Sequence, residues 1–246
     1  MYDFYLDGKD NFAVDREAVA RVEAVMPDVR QVARENRAYL RRAVRHMAAA
    51  GVRQFIDIGA GLPTAGNTHE IAQQSAPGSR VVYVDNDPMV LAHGRALLAT
   101  DHSTTVVAAD LRSPAEVVEH PDTRQLIDFA QPVGVLLIAM THFLLDTERA
   151  QVMGELRDAI APGSQVAITH VTGDRHPPEA VEGIERAYSA TPTPIFFRTQ
   201  PDVLRFFDGL TLAEPGVVFV DRWRPDPADP TVPPTQWLYG GVGLKA

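Results

Sequence analysis

Between residues 53 and 171 the apolar period of the chain switches repeatedly, and this limits the possible folds more than any other feature. Short strand-type apolar runs alternate with amphipathic helix-type segments. "RQFIDIG" (53–59) reads as a buried strand, "THEIAQQSA" (68–76) as a helix and "SRVVYVDND" (79–87) as a second strand. "DPMVLAHGRALLAT" (87–100) is a helix that Asp87 can cap, with Pro88 at its first position. "TTVVAAD" (104–110) is a third strand, and "PAEVVEHPDTRQLIDF" (114–129) is helical with a break at Pro121. "PVGVLLIAM" (132–140) is apolar throughout, as a central parallel strand is. The helix "ERAQVMGELRDAIAPG" (148–163) and the strand "SQVAITHV" (164–171) complete the series. The spacing predicts right-handed crossovers and an α/β, doubly wound, mostly parallel sheet.

The flanks differ. Residues 15–50 read as helical. "AVARVEAV" stops at Met26-Pro27, because the residue before a proline is pushed out of the helical region. The next helix places Val29, Val32, Ala33, Asn36, Leu40, Ala43, Val44 and Met47 on one face and ends at Gly51. After residue 171, 177–190 and 199–209 read as helices, and 211–225 and 235–245 as strands. These two strands flank "RPDPADPTVPPTQ", whose five prolines make it a stiff surface connection. The terminal pair brings the sheet to seven strands, one of them antiparallel. The expected organisation is one structural domain overall: an N-terminal helical lid (1–50) on an α/β domain (51–246).

Bulk properties remove several classes of function. A formal net charge of −9 on 246 residues lacks the footprint of a nucleic-acid binder. The absence of cysteine removes disulfides, thiolate metal sites and thiol nucleophiles, and fits a reducing compartment. "MYDFYLDGKDNF" has no apolar stretch of signal-peptide type. No apolar run approaches the roughly 20 residues of a membrane helix. The expected location is the cytoplasm.

In an open parallel sheet, ligands bind outside the carboxyl ends of the strands. Strand one ends in Asp57-Ile58-Gly59-Ala60-Gly61, strand two in Asp85-Asn86-Asp87 and strand three in Asp110-Leu111. Strand four ends in Ala139-Met140-Thr141-His142 and strand five in Thr169-His170. The glycines let a ligand lie on the turn. Asp85, 24 residues after Gly61, suits a pair of ribose hydroxyls, and Asp110 suits an adenine amine. A nucleoside is thus provided for, but phosphates are not. A dinucleotide fingerprint would carry a third Gly where Thr64 stands, no P-loop lysine is present, and acids rather than cations gather nearby. A nucleoside with a cationic arm fits such a site, and S-adenosylmethionine is one. Thr64, Asn67 and Thr68 offer uncharged polar groups to its carboxylate. The scattered histidines form no metal site.

"DIGAG", "YVDND" and "AADLR" resemble class I methyltransferases. "DGKDNF", "ENRAYLRRAVR", "FIDIGAGLPTAGNTHEIAQ", "VVYVDNDPMVLAHGRALLA" and "VLLIAMTHFL" resemble more closely one bacterial family of S-adenosylmethionine-dependent methyltransferases whose substrates are largely unassigned. The resemblance covers nearly the whole chain. It implies Gly59 and Gly61 at the methionine arm, Asp85 on the ribose, Asp110 and Leu111 at the adenine, and Ala139, Met140 and Thr141 under the sulfonium. It also supports a lid in which Tyr5 and Phe12 cover the nucleoside while Lys9, Asp10 and Asn11 reach the methionine arm. A hydrophobic staple for the first helix is the other reading of that stretch. One departure is Asp7, where the family often has Gly.

His142 and His170 are the candidate acceptor-side bases, each with an alternative as a histidine bonded within the core. His69 reads as structural. Arg37 and Arg41 either reach a carboxylate or form a solvated face. The expected activity is methyl transfer to a small-molecule acceptor, at oxygen or nitrogen ahead of carbon, with residues 171–200 shaping its pocket. A non-catalytic S-adenosylmethionine sensor remains an alternative, and a nicotinamide-dependent oxidoreductase is disfavoured by the missing glycine.

Overall fold

The computed structural model describes residues 2–6, 13–62, 66–97, 102–189, 193–227, 229 and 232–246. Five strands pair in parallel: β1 (Gln54–Ile58), β2 (Arg80–Asp85), β3 (Thr104–Ala108), β4 (Gly134–Leu137) and β5 (Gln165–Val171). They are joined by α4 (Thr68–Ser75), α5 (Pro88–Leu97), α6 (Pro114–Glu119), α7 (Pro121–Leu126) and α8 (Asp146–Ala159). Before them come α1 (Tyr2–Tyr5), α2 (Ala13–Val25) and α3 (Val29–Ala49). After them come α9 (Pro178–Ser189), α10 (Gln200–Leu204), and the strands β6 (Thr211–Leu212), β7 (Val218–Phe219) and β8 (Leu238–Leu244). The strand order is β3-β2-β1-β4-β5-β8-β6, with β7 also pairing to β8. The chain order reverses between β1 and β4, where a doubly wound sheet opens its ligand crevice.

The sheet therefore has eight strands among the described residues, which corrects the expectation of seven, and β8 alone runs antiparallel, against β5, β6 and β7, as the expected single antiparallel member. The continuous strand expected over 211–225 is two short ones. Pro215 has no amide to give a ladder, and Gly216, at φ +87°, closes a turn by donating its N–H to the Ala213 carbonyl at 2.8 Å. Strand four is shorter than 132–140, because Ala139 turns the chain at φ 58°.

Side chains alternate across the sheet. Phe55, Val81, Tyr83, Leu136 and Ala167 join one buried cluster, with α3 and α4. Ile56, Ile58, Val82, Val84, Val135 and Val166 join the other, with α8 and the Phe206 region. Period two on a sheet covered on both faces explains why β1, β4 and β5 are buried along their whole length.

The apolar face expected of α3 is buried residue for residue, and Tyr39 and Arg42 extend it. Tyr39 donates its hydroxyl to the Gly241 carbonyl at 2.6 Å on β8. Arg42 donates to the carbonyls of Trp223 and Val220 and pairs with Asp229. Arg41 pairs with Asp229 and Arg45 with Asp226. The proline-rich connection is thus fastened to α3 by three arginines. Of the two readings of Arg41, the carboxylate partner is the one observed. Among the described residues no helix is long and apolar enough to cross a membrane.

Candidate active site

A cavity of about 380 Å³ opens at the carboxyl ends of β1 and β4. Its floor is Asp57, Gly59, Ala60 and Gly61 from the first turn, with Ile138, Ala139, Met140 and His142 from the fourth. Its walls come from Tyr5 on α1, from Met26, Val29, Asn36 and Arg37 along α2–α3, and from Ile184 and Tyr188 on α9. Thr193, Ile195, Phe197, Val171 and Leu238 close the far side. A shallower depression around Arg80, Arg124 and Phe129 lies at the opposite, amino-terminal edge of the strands, away from these groups.

The glycine turn is held from both sides. Gly59 (φ +76°) and Gly61 (φ +66°) take left-handed conformations that suit glycine. Gly59 N–H donates to the Val84 carbonyl at 2.7 Å, and Gly61 N–H donates to Asp85 Oδ2 at 3.0 Å. Asp85 Oδ1 accepts from the Asp87 amide at 3.0 Å. Burial raises the pKa of Asp85, opposed by these backbone donors. Asp57 is buried beneath the turn and accepts the Thr68 hydroxyl at 2.6 Å. Burial raises its pKa as well, opposed by Thr68 and by the Arg37 charge. Asn67 is the N-cap of α4, and Glu70 reaches back to its amide at 3.0 Å.

The nucleoside candidates form a second group beside the cavity rather than in its wall. Asn86 Nδ2 donates to Asp110 Oδ2 at 2.9 Å, and Asp110 Oδ1 accepts the Arg112 amide at 2.8 Å. The Leu111 side chain points into the core cluster on the other face of the sheet. Asp87 accepts the Met89 amide at 2.8 Å, as a cap does.

At the end of β4 the left-handed Ala139 is fixed through its amide, which donates to Thr169 Oγ1 at 2.7 Å. The Thr169 hydroxyl donates in turn to Asn36 Oδ1 at 2.8 Å. Thr141 is fully buried and does not line the cavity, its hydroxyl lying between the Thr169 carbonyl and His170 Nδ1 at 2.8 Å. The two histidines separate here. His142 lines the cavity and its Nδ1 has no hydrogen-bond partner. Burial, and then the Arg198 charge, push its pKa down to about 3, so the ring is neutral. His170 does not reach the cavity wall. Its Nδ1 meets Thr141, and its Nε2 lies 3.2 Å from the Phe196 carbonyl and 3.3 Å from Arg198 Nη1. Burial drives its pKa well below the ordinary imidazole value. His69 Nδ1 lies 2.9 Å from the Tyr83 hydroxyl, a structural contact.

Lys9, Asn11, Phe12 and Thr64 lie outside the described residues, as do Asp7 and Asp10. Tyr5 is buried in the cavity wall. Arg198 was not anticipated from the sequence. Buried in a loop, it donates to the carbonyls of Thr141 and Leu144 and pairs with Asp146 at 2.8 Å. A lone arginine among "PIFFRTQ" carries no signal of that role. Among the described residues no cluster of three or more His, Asp or Glu could hold a metal ion.

The model of a family described as S-adenosyl methyltransferase matches residues 1–246. The structure of a candidate methyltransferase from Thermobifida fusca YX is 43% identical, with 99% of this chain and 92% of that one covered and a TM-score of 0.92. A DUF574 family protein from Streptomyces avermitilis MA-4680 is 40% identical, with coverage of 100% and 95% and a TM-score of 0.94. The 1,6-didemethyltoxoflavin-N1-methyltransferase of Burkholderia thailandensis, solved with 1,6-didemethyltoxoflavin and S-adenosylhomocysteine, is 16% identical, with coverage of 97% and 92% and a TM-score of 0.53. At that identity the likeness is one of fold. No curated protein matches the chain.

Proposed function

The chain belongs to the S-adenosyl methyltransferase family, and from that premise we propose that this S-adenosylmethionine-dependent enzyme methylates a small-molecule acceptor, at oxygen or nitrogen rather than carbon. The observation that carries the reading is the single cavity at the ends of β1 and β4, whose wall combines the glycine turn with His142 and a largely apolar lining. The largely apolar wall of Val171, Ile184, Tyr188, Thr193, Ile195 and Phe197 offers a surface to an acceptor beside the glycine turn, which supports an enzyme over a sensor.

In this reading Gly59, Ala60 and Gly61 receive the methionine arm, and Asp57 with Arg37 lies at its charged end. Asp85 accepts the ribose hydroxyls, and Asn86, Asp110 and the Leu111 backbone meet the adenine. Ala139, Met140 and Thr141 lie under the sulfonium. Thr64 and Asn67 serve the carboxylate, and Tyr5 with Lys9, Asn11 and Phe12 caps the cofactor as part of an N-terminal lid over residues 1–50. His142 contacts the acceptor, while His170 positions Thr141 from behind.

The chemistry is an in-line displacement. The acceptor lone pair forms a bond to the methyl carbon, the carbon–sulfur bond breaks with its electrons returning to sulfur, and S-adenosylhomocysteine leaves. Positioning and exclusion of water carry most of such a reaction. The negative charge of the chain supports a partner other than nucleic acid, and its lack of cysteine supports the cytoplasm as the place of reaction.

Thermal unfolding tests this reading. S-adenosylmethionine at about 100 times its dissociation constant adds roughly 2.7 kcal/mol, a rise of a few degrees in Tm. A dinucleotide such as NADH is expected to add nothing. Stabilisation by NADH but not by S-adenosylmethionine would overturn the reading.

A further inference from the structure

The cavity is divided by charge. Its charged lining groups among the described residues, Asp57 and Arg37, sit together near the glycine turn, where the Arg37 charge acts on the Asp57 carboxyl. Past Met140 the wall is built from Met26, Val29, Ile184, Ile195 and Leu238, with hydroxyls from Tyr5, Tyr188 and Thr193 but no ionised side chain among the described residues. His142, 4% exposed, also lines the cavity; its Nδ1 is enclosed without a partner, which leaves Nε2 as the ring nitrogen that a bound molecule can meet. Its backbone is fixed, because the Phe196 amide donates to the His142 carbonyl at 2.9 Å and Arg198 ties down the carbonyls on either side.

We propose that the acceptor is an uncharged, largely apolar molecule carrying one hydroxyl or amine, and that its O–H or N–H donates to the His142 ring. The inference rests on the methyltransferase reading above and names the substrate class of that same site. An ionised acceptor would leave its charge in the apolar lining with no ionised side chain among the described residues to pair it, which is the expensive case. For a hydroxyl acceptor the oxygen–carbon bond forms as the carbon–sulfur bond breaks. His142 accepts the hydroxyl hydrogen bond and orients its lone pair on the methyl carbon, and the proton of the resulting oxonium is released to water. The products are an ether, S-adenosylhomocysteine and a proton.

The test uses the full chain saturated with S-adenosylhomocysteine and four probes of matched size, titrated at pH 7. 2-Naphthol is expected to bind, and 2-naphthoate and protonated 2-naphthylmethylamine to bind at least about tenfold more weakly. 2-Methoxynaphthalene, which lacks the donor, is expected to bind about fivefold more weakly than 2-naphthol. In His142→Phe that difference should vanish with S-adenosylhomocysteine affinity unchanged, which a merely structural histidine would not produce. Should His142→Phe fail to fold, the four-probe comparison on the native protein still decides. The proposal is overturned if a charged probe binds as well as 2-naphthol, if 2-naphthol does not bind the loaded protein, or if His142→Phe keeps the donor preference. Failure of S-adenosylhomocysteine itself to bind would instead bring down the methyltransferase site on which the proposal stands.

Discussion

The Met140 side chain occupies the space that a side chain at Gly59 would need: a β-carbon built there lies 1.9 Å from Met140 Sδ and 2.4 Å from its Cγ. The first and fourth turns therefore interlock at the floor of the site. Gly59→Ala adds a methyl at φ +76° and drives Met140 toward the cavity. We expect a loss of about 1–3 kcal/mol in urea unfolding together with weaker S-adenosylhomocysteine binding. Met140→Ala in the same chain should recover part of both. Recovery of neither would mean that the φ angle alone, and not the interlock, sets the requirement for glycine.

Arg42 is 5% exposed, and its guanidinium meets two backbone carbonyls and Asp229. Arg42→Ala removes the buried guanidinium from the Trp223 and Val220 carbonyls, leaves Asp229 with Arg41 and the Asp226 amide, and should cost about 3 kcal/mol of stability. The Arg45–Asp226 pair is more exposed, with 41% and 23% of the two side chains accessible. Arg45→Ala should therefore cost less than about 1 kcal/mol. Urea midpoints for the two variants compare the pairs directly, and equal losses would contradict the ranking.

Acid should weaken the fold through its buried histidines. Burial lowers the pKa of His142 to about 3 and that of His170 well below 6.5, and His46 and His176 shift in the same direction. Below pH 6.5 the unfolded chain binds protons that the folded chain refuses. Stability therefore falls as pH drops, by at most about 1.4 kcal/mol per pH unit for each such group. Asp57 and Asp85, shifted upward by burial, act in the opposite sense, so the histidine contribution is isolated by comparing the native chain with His142→Phe between pH 7 and 5. His142→Phe should flatten the urea midpoint across that window. A slope identical to that of the native chain would contradict the buried neutral ring.

The parts of the molecule that could be read from the sequence are those that local pattern determines. Short continuous apolar runs and their glycine and proline boundaries mark β1 to β5, and the spacing of apolar residues marks the buried face of α3. The strand ends then located the first and fourth turns, because a doubly wound sheet leaves few other places for a ligand. What pattern does not carry is the pairing of residues distant along the chain. Arg42 and Asp229 are 187 residues apart, and nothing local marks either as a partner. Arg198 fixes the His142 turn from 57 residues beyond Thr141. The two histidines were equivalent in the sequence, each at the end of a strand. Only packing separates them, placing His142 in the cavity wall and enclosing His170 between Thr141, Phe196 and Arg198. The interruption of residues 211–225 was visible in "AEPGV", but its strand-type apolar flanks outweighed the Pro-Gly turn signal.

The most direct measurement of the central claim is calorimetric titration of S-adenosylhomocysteine into the native chain and into Asp85→Ala. Asp85 holds the glycine turn through Gly61 and is the group assigned to the ribose hydroxyls. The account predicts one site of roughly micromolar affinity in the native chain, weakened at least about tenfold in Asp85→Ala. No binding heat in the native chain over several temperatures, or equal affinity in the two proteins, would contradict it.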